Sequence, residues 1–228
     1  MNSRADQIAE ALNRVEAQIA VAAADADRDR SEITLIAVTK TYPISDAEIL
    51  QGLGVSNFGE NRSEEGAEKS AHVNGTWHFQ GQVQGRKLRE IAGWASFIHS
   101  IDSSDHAEKL SRICSELGRD VSIFLQLSLD GAPDRGGVVA AEILTLAEKV
   151  ANLPNIKLAG LMCVPPVAYE HLRAFTEIAD IQQGFIGVFP EATFLSAGMS
   201  SDFEVAIAHG ATHLRIGSQI LGSRTYHP

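Results

Sequence analysis

The chain is short of cysteine and of long apolar runs, and each shortage excludes a class of protein. The two cysteines among 228 residues, Cys114 and Cys163, cannot form a disulfide framework or a four-cysteine metal site. No segment approaches the roughly 20 consecutive apolar residues of a membrane-spanning helix. The polar start of the chain is unlike a secretory signal. We therefore expect a globular protein of the reducing cytoplasm that does not enter a membrane.

Basic residues are also outnumbered. The 19 lysines and arginines face 29 aspartates and glutamates, which gives a formal net charge of −10. Proteins that hold nucleic-acid phosphates need clustered Lys and Arg, so we expect no nucleic-acid partner. The eight histidines show no metal-ligand spacing on one predicted face, and no metal site is expected. His78 and His99 are expected to be partly buried, hydrogen-bonded strand residues.

Short apolar runs alternate with helical patterns along most of the chain. An opening helix is predicted from Ile8, Leu12, Val15 and Ile19, which fall on one helical face. The predicted strands are 33–39, 55–59, 76–80, 97–101, 121–128, 156–163, 193–197 and 212–216. The predicted helices between them are 45–52, 62–71, 84–93, 104–118, 138–152, 168–187 and 201–209. This order predicts one α/β domain over residues 1–228, a (β/α)8 TIM-like barrel with an extra N-terminal helix.

The alternative fold is a doubly wound open sheet. Its glycine-rich fingerprint after the first strand is absent, because Lys40-Thr41-Tyr42-Pro43 stands there instead. The following helix begins with Ser45-Asp46-Ala47-Glu48, a pattern that predicts a capping box.

Lys40 directly follows the apolar run 33–39, and of the six lysines it alone ends a predicted strand. Function in these barrels gathers at the C-terminal ends of the strands. Desolvation at the rim of a core lowers the pKa of an amine, and a neutral amine can form a Schiff base with an aldehyde or ketone. The alternative is that Lys40 only marks where the strand reaches water.

The last two predicted strands end in loops of small residues, Ser196-Ala197-Gly198-Met199-Ser200 and Gly217-Ser218. Loops after strands 7 and 8 are a recurrent phosphate site in such barrels. Arg215 lies near the end of the last strand and cannot lose its charge there. It needs either an acid on a neighbouring strand or a ring nitrogen of a bound heterocycle. Lysine, loops and arginine together suggest pyridoxal 5′-phosphate (PLP).

Several further motifs stand in a fixed order along the chain. They are Leu35-Ile36-Ala37-Val38-Thr39-Lys40, Phe58-Gly59-Glu60-Asn61, Trp77-His78-Phe79, His99-Ser100-Ile101-Asp102, Gly160-Leu161-Met162, Gly198-Met199-Ser200-Ser201-Asp202 and Arg215-Ile216-Gly217-Ser218. With them, residues 33–224 resemble the pyridoxal phosphate homeostasis proteins, also called the YggS or PROSC family. The chain departs from the family pattern in the Gln80–Lys87 loop, where Gln80 replaces an apolar residue, and the role of this loop stays unassigned.

The resemblance implies a barrel like the N-terminal domain of alanine racemase, with PLP held as a Schiff base on Lys40. It implies that Arg215 faces the pyridine nitrogen and that the phosphate contacts Ser200, Gly217 and Ser218. The same analogy implies a pocket lined also by Asn61, Met162 and Ser196. Simpler roles for these three are a turn residue, a core residue and a solvated strand end.

The function that the resemblance implies is PLP homeostasis, as a carrier or buffer that serves PLP-requiring apo-enzymes, without strong turnover. In alanine racemase, the acid–base group opposite the lysine is a tyrosine from a second domain, contributed across a dimer. This chain has no residues left to build such a second domain, so a monomer is expected. Tyr42, Tyr169 in a predicted helix, and Tyr226 in the tail are poor replacements. An arginine at the pyridine nitrogen also weakens PLP as an electron sink. The alternatives are a PLP-dependent amino-acid racemase and a class I aldolase without a coenzyme.

Overall fold

A ring of parallel strands forms the centre of the computed structural model, which describes residues 3–132 and 135–222. The predicted tail residue Tyr226 lies outside the described residues. The strands are β1 (Thr34–Val38), β2 (Asn57–Glu60), β3 (Thr76–Phe79), β4 (Phe97–Ile101), β5 (Val121–Ser128), β6 (Val138–Val139), β7 (Ile156–Cys163), β8 (Phe194–Met199) and β9 (His213–Ile216). Because β1 pairs with β9 and β4 pairs with β5, eight strands close into a barrel. The predicted (β/α)8 barrel and its eight strands are confirmed, and β6 is an additional two-residue strand beside β5.

Helices surround the barrel, and most of them follow a strand. They are α1 (Arg4–Asp25), α2 (Ile44–Gly52), α3 (Ser63–His72), α4 (Leu88–Trp94), α5 (Ser104–Leu117), α6 (Ala140–Val150), α7 (His171–Val188), α8 (Phe203–Ala208) and α9 (Ser218–Leu221). The predicted N-terminal helix is confirmed as α1, whose Ile8, Val15 and Ile19 are buried. None of the helices in the described part of the chain is long and apolar enough to span a membrane.

Two local predictions are wrong, and each has a physical reason. The capping box predicted at Ser45 does not form, since α2 begins at Ile44 after Pro43. Asp46 is instead buried, and its carboxylate accepts hydrogen bonds from Arg4 at 3.1 and 2.5 Å. Tyr169 lies before α7 rather than inside a helix, because the carboxylate of Glu170 caps the first turn of α7.

Aromatic and imidazole rings fill the inside of the barrel. His99 on β4 stacks on Phe124 of β5 with ring centroids 4.4 Å apart, and His78 on β3 stacks on Phe97 at 4.8 Å. The imidazole of His99 also reaches Ser196 on β8, a strand that β4 does not pair with. The contact between His99 and Ser196 therefore crosses the barrel interior, and together with the stacked rings it forms the floor beneath the C-terminal ends of the strands.

Candidate functional site

A cleft opens at the C-terminal ends of the strands, and residues that follow five of the strands line it. Lys40 follows β1, Asn61 follows β2, Gln80 follows β3, Ser200 follows β8 and Gly217 follows β9. All five line a single cavity of about 550 Å³. Its position agrees with the rule that function in such barrels gathers at this face.

The cleft is cationic, although the chain as a whole is acidic. Among the described residues that line it, Lys40 and Arg215 are the charged ones, and neither an aspartate nor a glutamate is present. A cleft with two cations attracts an anionic ligand in a chain whose formal net charge is −10.

Lys40 occupies a tight turn at the end of β1. The amide of Tyr42 donates to the carbonyl of Thr39 at 3.0 Å, which makes Thr39–Tyr42 a hydrogen-bonded four-residue turn. Tyr42 also lines the cleft, but its hydroxyl donates to the carbonyl of Gly222 at 2.6 Å. The hydroxyl proton of Tyr42, two residues after Lys40, is therefore engaged with the backbone.

Arg215 is held by neutral oxygens. Its Nη1 donates to the carbonyl and to the hydroxyl of Ser196, both at 2.7 Å, and its Nη2 donates to the carbonyl of Cys163 at 2.9 Å. The expected alternative, a salt bridge to an acid on a neighbouring strand, is not found among the described residues. Burial lowers the pKa of Arg215 to about 10, so the guanidinium stays charged at neutral pH.

The two predicted phosphate loops lie side by side. The hydroxyl of Ser218 donates to the hydroxyl of Ser200 at 3.2 Å. A Cβ on Gly217 would lie 2.9 Å from the carbonyl oxygen of Val38, closer than real Cβ atoms approach backbone oxygens. Glycine at this position lets the end of β9 approach the end of β1, and so brings the serine hydroxyls and Lys40 to one cavity.

Two of the predicted site residues lie deeper than the others. Ser196 is fully buried and Met162 is 4% exposed, packed against Phe124 and Ala159 inside the barrel. The structure therefore brings six of the eight predicted residues to the cleft surface: Lys40, Asn61, Ser200, Arg215, Gly217 and Ser218. Ser196 contacts the cleft through Arg215.

A chain of hydrogen bonds runs from Arg215 down into the barrel. Ser196 Oγ lies 2.8 Å from His99 Nδ1, and His99 Nε2 lies 2.9 Å from His78 Nδ1. His78 Nε2 ends the chain at Asn57 Oδ1, 3.1 Å away. Burial lowers the pKa values of His78 and His99 well below the ordinary value, so both imidazoles are neutral. The expectation that these histidines are hydrogen-bonded strand residues is confirmed, but both are fully buried rather than partly buried.

Several residues in or near the cleft were not among the predicted site residues. Tyr42 and Gln80 line it, and beneath the Lys40 turn a second lysine, Lys69, is 3% exposed and paired with the fully buried Glu60. Burial raises the pKa of Glu60, against the opposing effect of Lys69. The sequence feature that could have indicated this ion pair is the position of Glu60, because an acid that ends a buried strand requires a partner.

Among the described residues, no group of three or more His, Cys, Asp or Glu side chains could hold a metal ion. The site consists of an amine, a guanidinium and hydroxyl groups. It can bind an anion, hold a heterocycle and present a nucleophilic amine.

Known proteins share this fold. The family model described as alanine racemase, N-terminal domain, matches residues 11–225. A pyridoxal phosphate homeostasis protein of Corynebacterium glutamicum is 39% identical over 200 residues, which cover 84% of this chain and 90% of the relative. The structure of PipY from Synechococcus elongatus with PLP bound has a TM-score of 0.82 at 31% identity, covering 94% of this chain and 100% of that one. An alanine racemase of Clostridium difficile shares the fold with a TM-score of 0.75 at 16% identity, and the match covers 97% of this chain but 60% of that one. The chain belongs to the family of pyridoxal phosphate homeostasis proteins, which share the fold of the alanine racemase N-terminal domain.

Proposed function

We propose that this protein binds PLP in the cleft at the C-terminal ends of the strands and acts in PLP homeostasis as a carrier or buffer. The observation that carries the proposal is that Lys40, Arg215, Ser200 and Ser218 line one cavity. Membership of the family and the PLP-bound structure of PipY support the same ligand.

The residues of the cleft fit the chemical groups of PLP. The cavity of about 550 Å³ lies within the range of roughly 300–1,000 Å³ typical of small-molecule sites. Lys40 offers an amine for the aldehyde, Arg215 offers a charged donor for the ring nitrogen, and the paired serines offer hydroxyls for the phosphate. When bound, PLP supplies an electrophilic aldehyde conjugated to a pyridine ring.

Lys40 would hold the aldehyde of PLP, and Arg215 would set the electronic character of the ring. A guanidinium that stays charged at neutral pH disfavours a second positive charge on the adjacent ring nitrogen. The ring then withdraws electrons less strongly, which disfavours transamination and decarboxylation. Asn61, which follows β2 and lines the cleft, would contact the ring, while Met162 and Ser196 would support it from below.

The surroundings of Lys40 favour carriage over racemisation. Racemisation needs acid–base groups on both faces of the substrate carbanion. Tyr42 is the described tyrosine that lines the cleft, and its hydroxyl already donates to the carbonyl of Gly222. Residues 1–228 act in this proposal as one monomeric domain of the cytoplasm that passes PLP to apo-enzymes.

The experiment that tests this proposal measures binding and turnover on the same preparation. Titration with PLP should produce the visible absorption band of a Schiff base, and Lys40→Ala should abolish that band. Lys157→Ala, at an exposed position on β7 near the opposite rim, should leave it unchanged. Incubation with L-alanine should leave the optical activity unchanged. Rapid loss of optical activity that disappears in Lys40→Ala would contradict the carrier and support the racemase.

A further inference from the structure

Both peptide groups that flank Lys40 are bound by side chains of α3. The Nζ of Lys69 donates to the carbonyl of Thr39 at 2.7 Å, and this carbonyl belongs to the peptide bond that joins Thr39 to Lys40. The amide of Thr41, on the other side of Lys40, donates to the carboxylate of Glu65 at 2.8 Å. Lys69 and Glu65 are four residues apart and therefore share one face of the helix.

These contacts come from a buried charge cluster. The Nζ of Lys69 lies 2.6 Å from Glu60 Oε1 and 3.6 Å from Glu65 Oε2. The side chains of Lys69 and Glu60 are 4% and 0% exposed. The hydroxyl of Thr39 also donates to Glu60 Oε1, at 2.7 Å. An ion pair this deeply buried is a poor source of stability compared with apolar packing, so its presence asks for another reason.

The turn itself gives that reason. Thr41 has a φ of 69°, a left-handed conformation that β-branched residues rarely adopt. It is the third residue of the Thr39–Tyr42 turn, the position at which a positive φ normally calls for glycine. A strained residue persists when its surroundings hold it in place, and here the carboxylate of Glu65 binds its amide.

We infer that Glu60, Glu65 and Lys69 form a backbone clamp that orients Lys40 for bond formation with the aldehyde of its ligand. This inference rests on the proposed function and deepens it. The amine of Lys40 adds to the aldehyde carbon, its two protons leave with the carbonyl oxygen as one water, and a C=N bond remains. Fixing both peptide groups of Lys40 reduces the orientations that its amine must give up on reaction. The clamp residues are positioning residues, since none of them lines the cleft.

The first test separates orientation of the amine from the shape of the cleft. Lys69→Met combined with Glu60→Gln removes the ion pair without leaving an unpaired buried charge. We expect this double variant to bind PLP about ten-fold more weakly, as a reacting group loses its fixed orientation. Its affinity for pyridoxine 5′-phosphate, which carries an alcohol in place of the aldehyde, should change less than about two-fold. Lys149→Met, at an exposed lysine of α6, should match the wild type with both ligands.

Thermal unfolding of the ligand-free proteins controls for stability. Leu146→Ala removes a buried side chain of α6 and destabilises the protein away from the clamp. It should keep the wild-type ratio of PLP affinity to pyridoxine 5′-phosphate affinity, whereas the clamp double variant should not. An unchanged ratio in the double variant, or an equal loss with both ligands, would overturn the inference while leaving the proposed function intact. A wild-type protein that binds no PLP would overturn the proposed function itself.

A second test does not depend on the buried ion pair. Glu65→Ala should also weaken PLP binding more than binding of pyridoxine 5′-phosphate, because the amide of Thr41 loses its acceptor. Thr41→Gly removes the steric cost of the positive φ. In the Thr41→Gly background the effect of Glu65→Ala should therefore shrink, and the double-mutant cycle should report coupling between the two residues. Fully additive effects would contradict a clamp that holds the turn.

Discussion

The two sides of the cleft differ in the kinds of residue that form them. On the β8–β9 side, Gly217 allows the end of β9 to approach the end of β1 closely. The hydroxyls of Ser218 and Ser200 lie 3.2 Å apart on the same side. On the β1–β2 side, Lys40 stands on a strained turn that the buried charges of the backbone clamp hold. The comparison teaches that one side suits reversible recognition of an anion, while the other fixes the residue to which the proposed function assigns a covalent bond with the ligand.

The largest expected effect is the loss of the covalent contribution that Lys40, on the β1 side, makes to PLP binding. Lys40→Ala should abolish the visible band formed with PLP, since no other lysine lines the cleft among the described residues. Binding of pyridoxine 5′-phosphate, followed by equilibrium dialysis, should persist because the serines of the other side remain. Loss of binding of both ligands would show that the two sides do not divide their tasks in this way.

The next effect concerns Arg215, which connects the cleft to the barrel interior. Arg215→Met removes the donors to the carbonyls of Ser196 and Cys163, and should destabilise the ligand-free protein by about 3 kcal/mol in urea unfolding. Arg89→Met, at an arginine whose side chain is 57% exposed, should stay within about 0.5 kcal/mol of the wild type. An unchanged stability of Arg215→Met would mean that Arg215 serves the ligand alone.

A smaller effect is expected from the anion side. Ser200→Ala and Ser218→Ala should each weaken binding of PLP and of pyridoxine 5′-phosphate by a similar factor, about five-fold or 1 kcal/mol. The exposed residue Ser115 supplies the matched control, Ser115→Ala. The clamp variants should weaken PLP binding selectively. An equal loss of affinity for both ligands in the serine variants would therefore distinguish the β8–β9 side from the β1–β2 side. A loss confined to PLP would assign the serines to the aldehyde side instead.

The smallest effect is expected from His213, a buried residue at the start of β9 whose ring centroid lies 5.3 Å from that of Phe124. Burial lowers the pKa of His213 to about 4, below the ordinary value of 6.5. The unfolded chain therefore binds a proton that the folded chain does not, and this stability is complete above pH 6.5 and is lost as the pH falls towards 4. Between pH 7 and pH 6 the loss from one such histidine is about 0.7 kcal/mol. Urea unfolding of His213→Phe should show a pH dependence that is weaker by this amount, and an unchanged dependence would contradict a neutral His213.

Much of the fold and of the cleft could be predicted because the signal is local. Each buried strand is a short apolar run, and the strand-end rule places Lys40 and Ser200 at one rim. Arg215 could also be assigned to the site from its local sequence, because a charged residue in an apolar strand needs partners. The nature of those partners, two backbone carbonyls and a hydroxyl, depends on β7 and β8 and has no local signature.

The residues that escaped prediction depend on contacts between distant segments. Lys69 and Glu65 have the four-residue spacing of an ordinary exposed helical pair, and only the packing of α3 against the Lys40 turn buries Lys69. Asp46 likewise resembles a helix-start residue, yet it pairs with Arg4, 42 positions away. Local patterns assign such residues to the surface or to caps because the partner is invisible to them.

The most direct test of the central claim is borohydride reduction of the PLP-treated protein, followed by peptide mapping of the modified lysine. The account predicts that the PLP-treated protein is yellow before reduction, and that the reduced adduct lies on Lys40 with Lys69 unmodified. An adduct on Lys69 or on an exposed lysine, or a protein that stays colourless with added PLP, would contradict it. The colourless result would leave a Schiff-base barrel without a coenzyme, as in class I aldolases, as the function to pursue.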